Sequence, residues 1–445
     1  MASLTNVVVA GGNAAAAVAR VEMLSPAGFA GLAVSNGLDV QNYVSERQPD
    51  LVLIEGGFDD VDAFEVAGKL KKNDETRHIP IIMLCNEISA VQVAEGLDVG
   101  LDDMLAAKTS NEIVLARLHP LVRLSTMHSE FRRRIASAAK AGIIVDDGDV
   151  QDVDDKNCRV LFVGSEFESV TTLADSLTAT DVKPELEPDF FKAGARLAEE
   201  TFDATVIVVA EDEPLDKALF LCAHIRNNPR LFNLPVLIAV KSDVVRIGDA
   251  PYVQGASMVV PLTSDLEEMT AGLRFLVRRQ RLRWNLHGPL TATLQTGTAD
   301  KLSGLYSEGF ARAHLGHLLE FGTRRRRNLS LALFSIQTVA GLDADSEDAR
   351  LLMQQAADWI SGLVRVEDMA ARLGTIDICA ILPGAAEPEA LQATNRITGV
   401  LQNTVFKLPD GSPLAAPLWL QSGAIAAVQG ESVDELISRA RENLS

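Results

Sequence analysis

The sequence predicts two tandem doubly wound α/β domains followed by an α+β domain, and three observations predict it. The first part of the chain holds an internal repeat of apolar strand cores, an acidic stretch separates the two copies, and the last third alternates strands and helices in a different rhythm. At 445 residues the chain has room for about three domains of ordinary size.

The repeat sets the first two domains. NVVVAGG from Asn6, DLVLIEGG from Asp50 and HIPIIML from His78 recur as RVLFVGS from Arg159, DATVIVVA from Asp203 and NLPVLIA from Asn233, at offsets of 153, 153 and 155 positions. So constant an offset means one plan used twice. Short apolar runs bounded by Gly, Pro and Asp read as buried parallel strands, and the segments between them carry helical periodicity. FEVAGKLKKNDETRHIP and ALFLCAHIRNNPRLFNLP both give an amphipathic helix, a polar loop and a strand entered through Pro80 or Pro235. Each copy is thus predicted as a sheet of about five strands.

The stretch DDGDVQDVDD, Asp146 to Asp155, has too little apolar content to pack and reads as a linker. An arginine-rich helix from Leu266 to Arg283 leaves the second copy, and Gly288-Pro289 is expected to break it. Beyond it, strands LSLALFSIQ, TIDICAILPG and PLWLQSGAIAAV alternate with helices DARLLMQQAADWISGLV and EALQATNRITGVLQ. That pattern predicts an antiparallel sheet covered by helices on one face, with Trp359 in the core. The predicted domains are 1–145, 156–285 and 296–445.

Composition excludes several function classes. Lys and Arg number 41 against 61 Asp and Glu, a net charge of −20, so the surface as a whole repels nucleic-acid backbones and anionic lipid. No nucleic-acid partner and no membrane insertion are expected. Cys85, Cys158, Cys222 and Cys379 lie far apart, which fits neither a zinc site nor a disulfide framework and suits a reducing cytoplasm. The first residues, MASLTNVVVAGGN, lack the basic start of a signal peptide. His314 and His317 have a spacing that can ligate metal, but with no third ligand in view they read as ordinary helix residues.

With DKLSGLY at Asp300 to Tyr306 and RVEDMAARLGTIDICAILPG from Arg365, the chain resembles the receiver–receiver–GGDEF family of PleD-type diguanylate cyclases over essentially its whole length. The first motif is similar to the family's D-x-L-T-G-L. The second is similar to R-x-x-D-x-x-x-R-x-G-G-D/E-E-F followed by an apolar strand and Pro-Gly. The resemblance implies two CheY-like (flavodoxin-like) receiver domains and a degenerate GGDEF domain.

Active receivers need an acidic pair for magnesium, an acceptor aspartate, a Ser or Thr, and a lysine before proline, which together screen and neutralise a phosphoryl group. The first copy has Ala10, Gly11 and Gly12 at the pair, Glu55 at the acceptor, Cys85 at the Ser/Thr position, and Ala107 at the lysine with Lys108 one place late. Glu55 is either a permanent mimic of the phosphorylated state or a solvated loop acid. The second copy has Gly164 and Ser165 at the pair, Val208 at the acceptor and Val260 before Pro261. Neither receiver is expected to take phosphate.

The cyclase loop reads Gly374, Thr375, Ile376, Asp377, Ile378, with one glycine left to admit a triphosphate and Ile376 where a metal-binding acid belongs. The family's other metal ligand falls at Ser335, and its guanine-reading helix entry is unrecognisable in GLDADSEDAR. No catalytic residue, metal or cofactor is therefore expected. What survives is the inhibitory R-x-x-D, Arg365 and Asp368, with Arg396 at the matching distance. Arginine's planar fork suits guanine O6 and N7 or phosphate, and aspartate can accept from guanine N1 and N2. Taken alone, such a pair is also a common surface salt bridge. The run Arg324 to Arg327 reads as a solvated turn, with Arg324 a secondary candidate for closing over the ligand.

The expected function is that of a non-enzymatic cyclic di-GMP effector whose receivers dock partners and dimerise. A ligand-independent scaffold and a residual diguanylate cyclase are the alternatives. Resemblance to the family's non-catalytic branch implies a homodimer in cell-cycle control, recruited to a cell pole, that delivers CtrA to the ClpXP protease through the adaptor RcdA.

Overall fold

The computed structural model describes residues 5–145, 150, 153–154, 156–178, 181–210, 215–228, 230–241, 247–263, 266–325, 327–337, 346–414 and 418–444, without the side chains at 167, 178, 267–268 and 321–325. The repeat becomes two sheets of identical order. The first contains β1 (Thr5–Ala10), α1 (Ala14–Leu24), β2 (Phe29–Val34), α2 (Gly37–Arg47), β3 (Leu51–Glu55), α3 (Ala63–Lys72), β4 (Ile81–Cys85), α4 (Ala90–Val99), β5 (Asp103–Ala106) and α5 (Asn111–Lys140). The second contains β6 (Cys158–Val163), α6 (Phe167–Thr178), β7 (Val182–Glu187), α7 (Phe190–Glu199), β8 (Ala204–Val209), α8 (Leu215–Asn227), β9 (Val236–Val240), α9 (Ala250–Val253), β10 (Met258–Pro261) and α10 (Leu266–Ala292). The sheets run β2-β1-β3-β4-β5 and β7-β6-β8-β9-β10. The linker stretch 146–155 lies mostly outside the described residues.

The repeat persists down to single side-chain bonds. The Asn6 amide donates to Asp50 Oδ2 at 2.9 Å, and at the equivalent place the Arg159 amide donates to Asp203 Oδ2 at 2.7 Å. In both copies an aspartate fixes the start of the third strand against the first. Local chemistry starts the helices: Asn13, Asn36, Asp62 and Asp189 each accept backbone amides of the first turn, groups with no partner inside the helix.

The third sheet is built from β11 (Leu329–Gln337), β12 (Met369–Arg372), β13 (Asp377–Pro383) and β14 (Trp419–Ala426), in the order β12-β13-β11-β14 with antiparallel pairs. Its helices are α11 (Glu308–Arg325), α12 (Glu347–Leu363), α13 (Glu387–Gln402) and α14 (Val433–Glu442). They cover both faces, which corrects the expectation of one. Ala332, Phe334, Ile336 and Ala380 pack on α12 and α13, while Leu331, Leu333, Cys379 and Ile381 pack on α11 and α14. The physical reason lies in LSLALFSIQ: all residues from Leu329 to Ile336 are buried, and a strand apolar on both sides needs two covers.

Two further expectations change. Helix α10 runs through Gly288-Pro289, because Leu286 and Leu290 are buried on either side of the proline and their packing, about 1.5–3 kcal/mol each, offsets the backbone bond that proline removes. Trp359 is 44 % exposed rather than core: Ala356, Ala357 and Ile360 hold the buried face of α12, and Trp359 lies on its flank.

The chain forms two compact units. One holds both five-stranded sheets (residues 6–125 and 149–285), and the other holds the third sheet with residues 126–148 and 286–445. The second half of α5 therefore belongs with the third sheet, next to the candidate site.

Candidate functional site

In the first five-stranded domain the backbone is closed over the positions where an acidic pair would sit. A Cβ at Gly11 would lie 2.2 Å from the Glu55 carbonyl oxygen, and one at Gly12 would lie 2.6 Å from that of Gly57. No side chain fits there. Glu55 is not the solvated loop acid that the sequence allowed: Arg20 Nη2 donates to its Oε1 at 2.7 Å and Arg20 Nε to its Oε2 at 3.3 Å, with both side chains largely buried. Burial raises the Cys85 thiol pKa, and Lys108 is exposed. In the second receiver a Cβ at Gly164 would lie 2.8 Å from the Val208 carbonyl oxygen, and Val208 and Val260 are buried.

A direct expectation follows. Incubation with a small phosphodonor adds no phosphoryl mass to the intact chain. Restoring the acid as Gly11→Asp lowers stability by about 1–3 kcal/mol through overpacking, read as a drop in thermal midpoint. A stable Gly11→Asp chain would contradict the closed backbone.

The residues expected to form a degenerate cyclase loop, 374–378, begin in the turn between β12 and β13, closed by Leu373 N donating to Asp377 O at 2.8 Å. Gly374 has φ +93°, a conformation L side chains rarely adopt, which explains why this position is glycine. Asp377, the loop's only carboxylate, accepts from Arg441 at 3.1 Å, and its partner across the sheet is Ser335. Thr375 offers its carbonyl to Arg372, and Ile378 is fully buried. Asp300 of the entry motif is held by Arg372 at 3.3 Å. Among the described residues no group of three His, Cys, Asp or Glu could hold a metal. The residues of the guanine-reading entry, up to position 345, lie outside the described residues.

The R-x-x-D residues form a tight turn between α12 and β12. Asp368 N donates to Arg365 O at 3.0 Å, and Asp368 Oδ2 accepts from Arg365 N at 2.9 Å. The aspartate therefore shapes the turn and keeps one oxygen outside this bond. Arg365 is exposed, and its guanidinium makes no hydrogen bond among the described residues. Arg396, on α13, donates from Nη2 to Leu363 O at 3.1 Å, two residues before Arg365. Three residues spread over 32 positions of sequence are thus gathered on one patch. Burial and the neighbouring Glu367 carboxylate push Asp368 up to about 7. The side chain of Arg324 lies outside the described residues.

Sequence reasoning missed the floor of this turn. Arg134 of α5 is buried and donates to Val366 O at 3.1 Å, Glu367 O at 2.7 Å and Asp368 O at 3.2 Å. Its Nε donates to buried Glu130 at 2.9 Å, and Glu130 also meets His314 Nε2 at 2.8 Å. His314 and His317 both hydrogen-bond Ser137 Oγ, at 3.0 and 2.8 Å. Burial opposes the charged Glu130, but His314 and Arg134 outweigh it and hold the carboxyl at about 2. No local signal marks a contact across 232 positions.

The architecture, two parallel sheets of order 2-1-3-4-5 followed by a four-stranded antiparallel sheet, is the fold of two receiver-type domains and a GGDEF-type domain. No family model matches it. It is homologous to Response regulator PleD of Caulobacter vibrioides, 26 % identical over 403 residues that cover 89 % of this chain and 86 % of PleD. Its similarity to the phosphate regulon regulator PhoB of Pseudomonas aeruginosa is confined to 100 residues, at 32 % identity over 22 % of this chain and 44 % of PhoB. Among solved structures, the GGDEF domain of DgcB from Caulobacter crescentus, crystallised with c-di-GMP, is 18 % identical over 33 % of this chain and 85 % of that domain, with a TM-score of 0.31. No helix among the described residues is long and apolar enough to cross a membrane.

Proposed function

We propose that the chain is a cyclic di-GMP effector that binds this ligand at Arg365, Asp368 and Arg396 and does not synthesise it. Homology to a response regulator and the GGDEF-type fold support a role in cyclic di-GMP signalling. The observation that carries the finer reading is the convergence of the three residues: Arg396 is anchored on Leu363 O just before the turn, while the Arg365 guanidinium is exposed and makes no hydrogen bond among the described residues. One unengaged fork at Arg365, a second at Arg396 with one donor given to Leu363 O, and a carboxylate on one patch can pair with guanine edges and with the phosphates between them.

The absence of synthesis rests on Ser335 facing Asp377 at the former metal position and on Asp377 being neutralised by Arg441. With GTP and magnesium, no cyclic di-GMP is expected above a blank without protein. Measurable product would contradict the proposal. In its finer form, the proposal makes this chain a non-catalytic PleD paralogue of the PopA kind, dimeric and recruited to a cell pole, acting on CtrA degradation by ClpXP through RcdA, with no metal or cofactor. Domains 1–145, 156–285 and 296–445 belong to the same proposal.

The experiment that tests the binding site is titration over pH. Guanine N1 and N2 donors bond more strongly to an ionised carboxylate than to a neutral acid, and Asp368 is pushed up to about 7, so the contact weakens as the group takes up its proton at falling pH. Affinity is expected to be about tenfold weaker at pH 6 than at pH 8, and Asp368→Asn should flatten the profile. A flat profile in the wild-type chain would contradict the role assigned to Asp368.

A further inference from the structure

Resting on the proposed ligand site, we infer that Arg134, on a helix outside the GGDEF-type sheet, is the positioning residue of that site and couples ligand binding to α5. Val366, Glu367 and Asp368 are successive residues of a tight turn, and all three of their carbonyl oxygens converge on one guanidinium. Three carbonyl dipoles brought this close repel one another unless donors in a fixed planar fork lie between them. Arginine supplies that fork and lysine, a compact point charge, does not. With its carbonyls held inward, the turn leaves Arg365 exposed and Asp368 half-buried beside it.

The guanidinium is itself held from behind. Glu130, one helical turn earlier, receives Nε, and the Tyr306 ring lies 5.8 Å from the guanidinium carbon. From Glu130 the bonds continue to His314 at 2.8 Å, to Ser137 at 3.0 Å, to His317 at 2.8 Å and to Lys140 at 2.7 Å. This chain of contacts ties the second half of α5 to α11 over ten residues of helix. Any ligand that fixes the turn therefore fixes α5, and by linkage any event that moves α5 changes the affinity of the turn. Residues 126–140 of α5 and the turn lie in the same compact unit, so the coupling is carried within that unit.

The test uses the full chain and two readouts. Titration calorimetry with cyclic di-GMP compares wild type with Arg134→Lys, which keeps the charge beside Glu130 but loses the fork. The expected loss of affinity is roughly tenfold, with the circular dichroism spectrum unchanged. Amide hydrogen exchange on the wild type needs no variant: cyclic di-GMP is expected to slow exchange in residues 126–140 as well as in 365–369. In Arg134→Lys the slowing at 126–140 is expected to be lost even at saturating ligand, which a purely structural role would not produce. A wild-type chain that binds but shows no ligand-dependent change at 126–140, or a folded Arg134→Lys chain with wild-type affinity, overturns this inference alone. A wild-type chain that binds no cyclic di-GMP overturns the functional proposal and the inference with it.

Discussion

Arg365→Ala is expected to weaken cyclic di-GMP binding by roughly ten- to a hundredfold while leaving the fold intact. The size follows from the chemistry: one charge-assisted fork on a guanine edge or phosphate is worth about 1–3 kcal/mol. The intact fold follows from the structure, since the Arg365 guanidinium is exposed and bonds nothing among the described residues, while the turn is closed by backbone, Asp368 and Arg134. Arg396→Ala should cost less, because that side chain spends one of its donors on Leu363 O. Calorimetric titrations of both variants, with circular dichroism as the control for folding, check the order. Equal affinities for wild type and Arg365→Ala would reduce the turn to a surface structure without a ligand.

The largest expected effect on stability comes from a residue that touches no ligand. Glu130→Ala leaves buried Arg134 without its carboxylate and removes the partner of buried His314, and breaking a buried pair in this way costs about 3–5 kcal/mol. The same cluster sets an acid limit. Glu130 is held at about 2 in the folded chain against 4.5 for a free glutamate, so its folded pKa is depressed. Its contribution is fully present above pH 4.5 and is lost as pH falls through 2, amounting to about 3 kcal/mol. Urea unfolding at pH 7 and at pH 3 measures both: the gap between wild type and Glu130→Ala should narrow at the lower pH. A gap that is constant with pH would mean that the carboxylate is not the source.

Much of the fold was legible because it is written in local patterns. The strands of the repeat are short apolar runs, and their common offset predicted two copies of one sheet, which the matching Asp50 and Asp203 bonds extend to single atoms. The candidate site was legible where it depends on spacing, at Arg365, Asp368 and Arg396. What escaped was decided by partners distant in sequence. A run such as LSLALFSIQ carries no label for which helices cover each side, so the second layer of helices was missed. The apolar content around Trp359 suggested core, but its position on the flank of α12 leaves it exposed. The Glu55–Arg20 pair joins a strand end to a helix 35 positions earlier, and Arg134 reaches carbonyls more than 230 positions away, in contacts that no window of sequence contains.

The most direct test of the central claim is a calorimetric titration of cyclic di-GMP into the unaltered full-length chain in magnesium-containing buffer at pH 8. Saturable binding is predicted, with the ligand recovered chemically unchanged. The absence of any binding isotherm for a folded chain would contradict it.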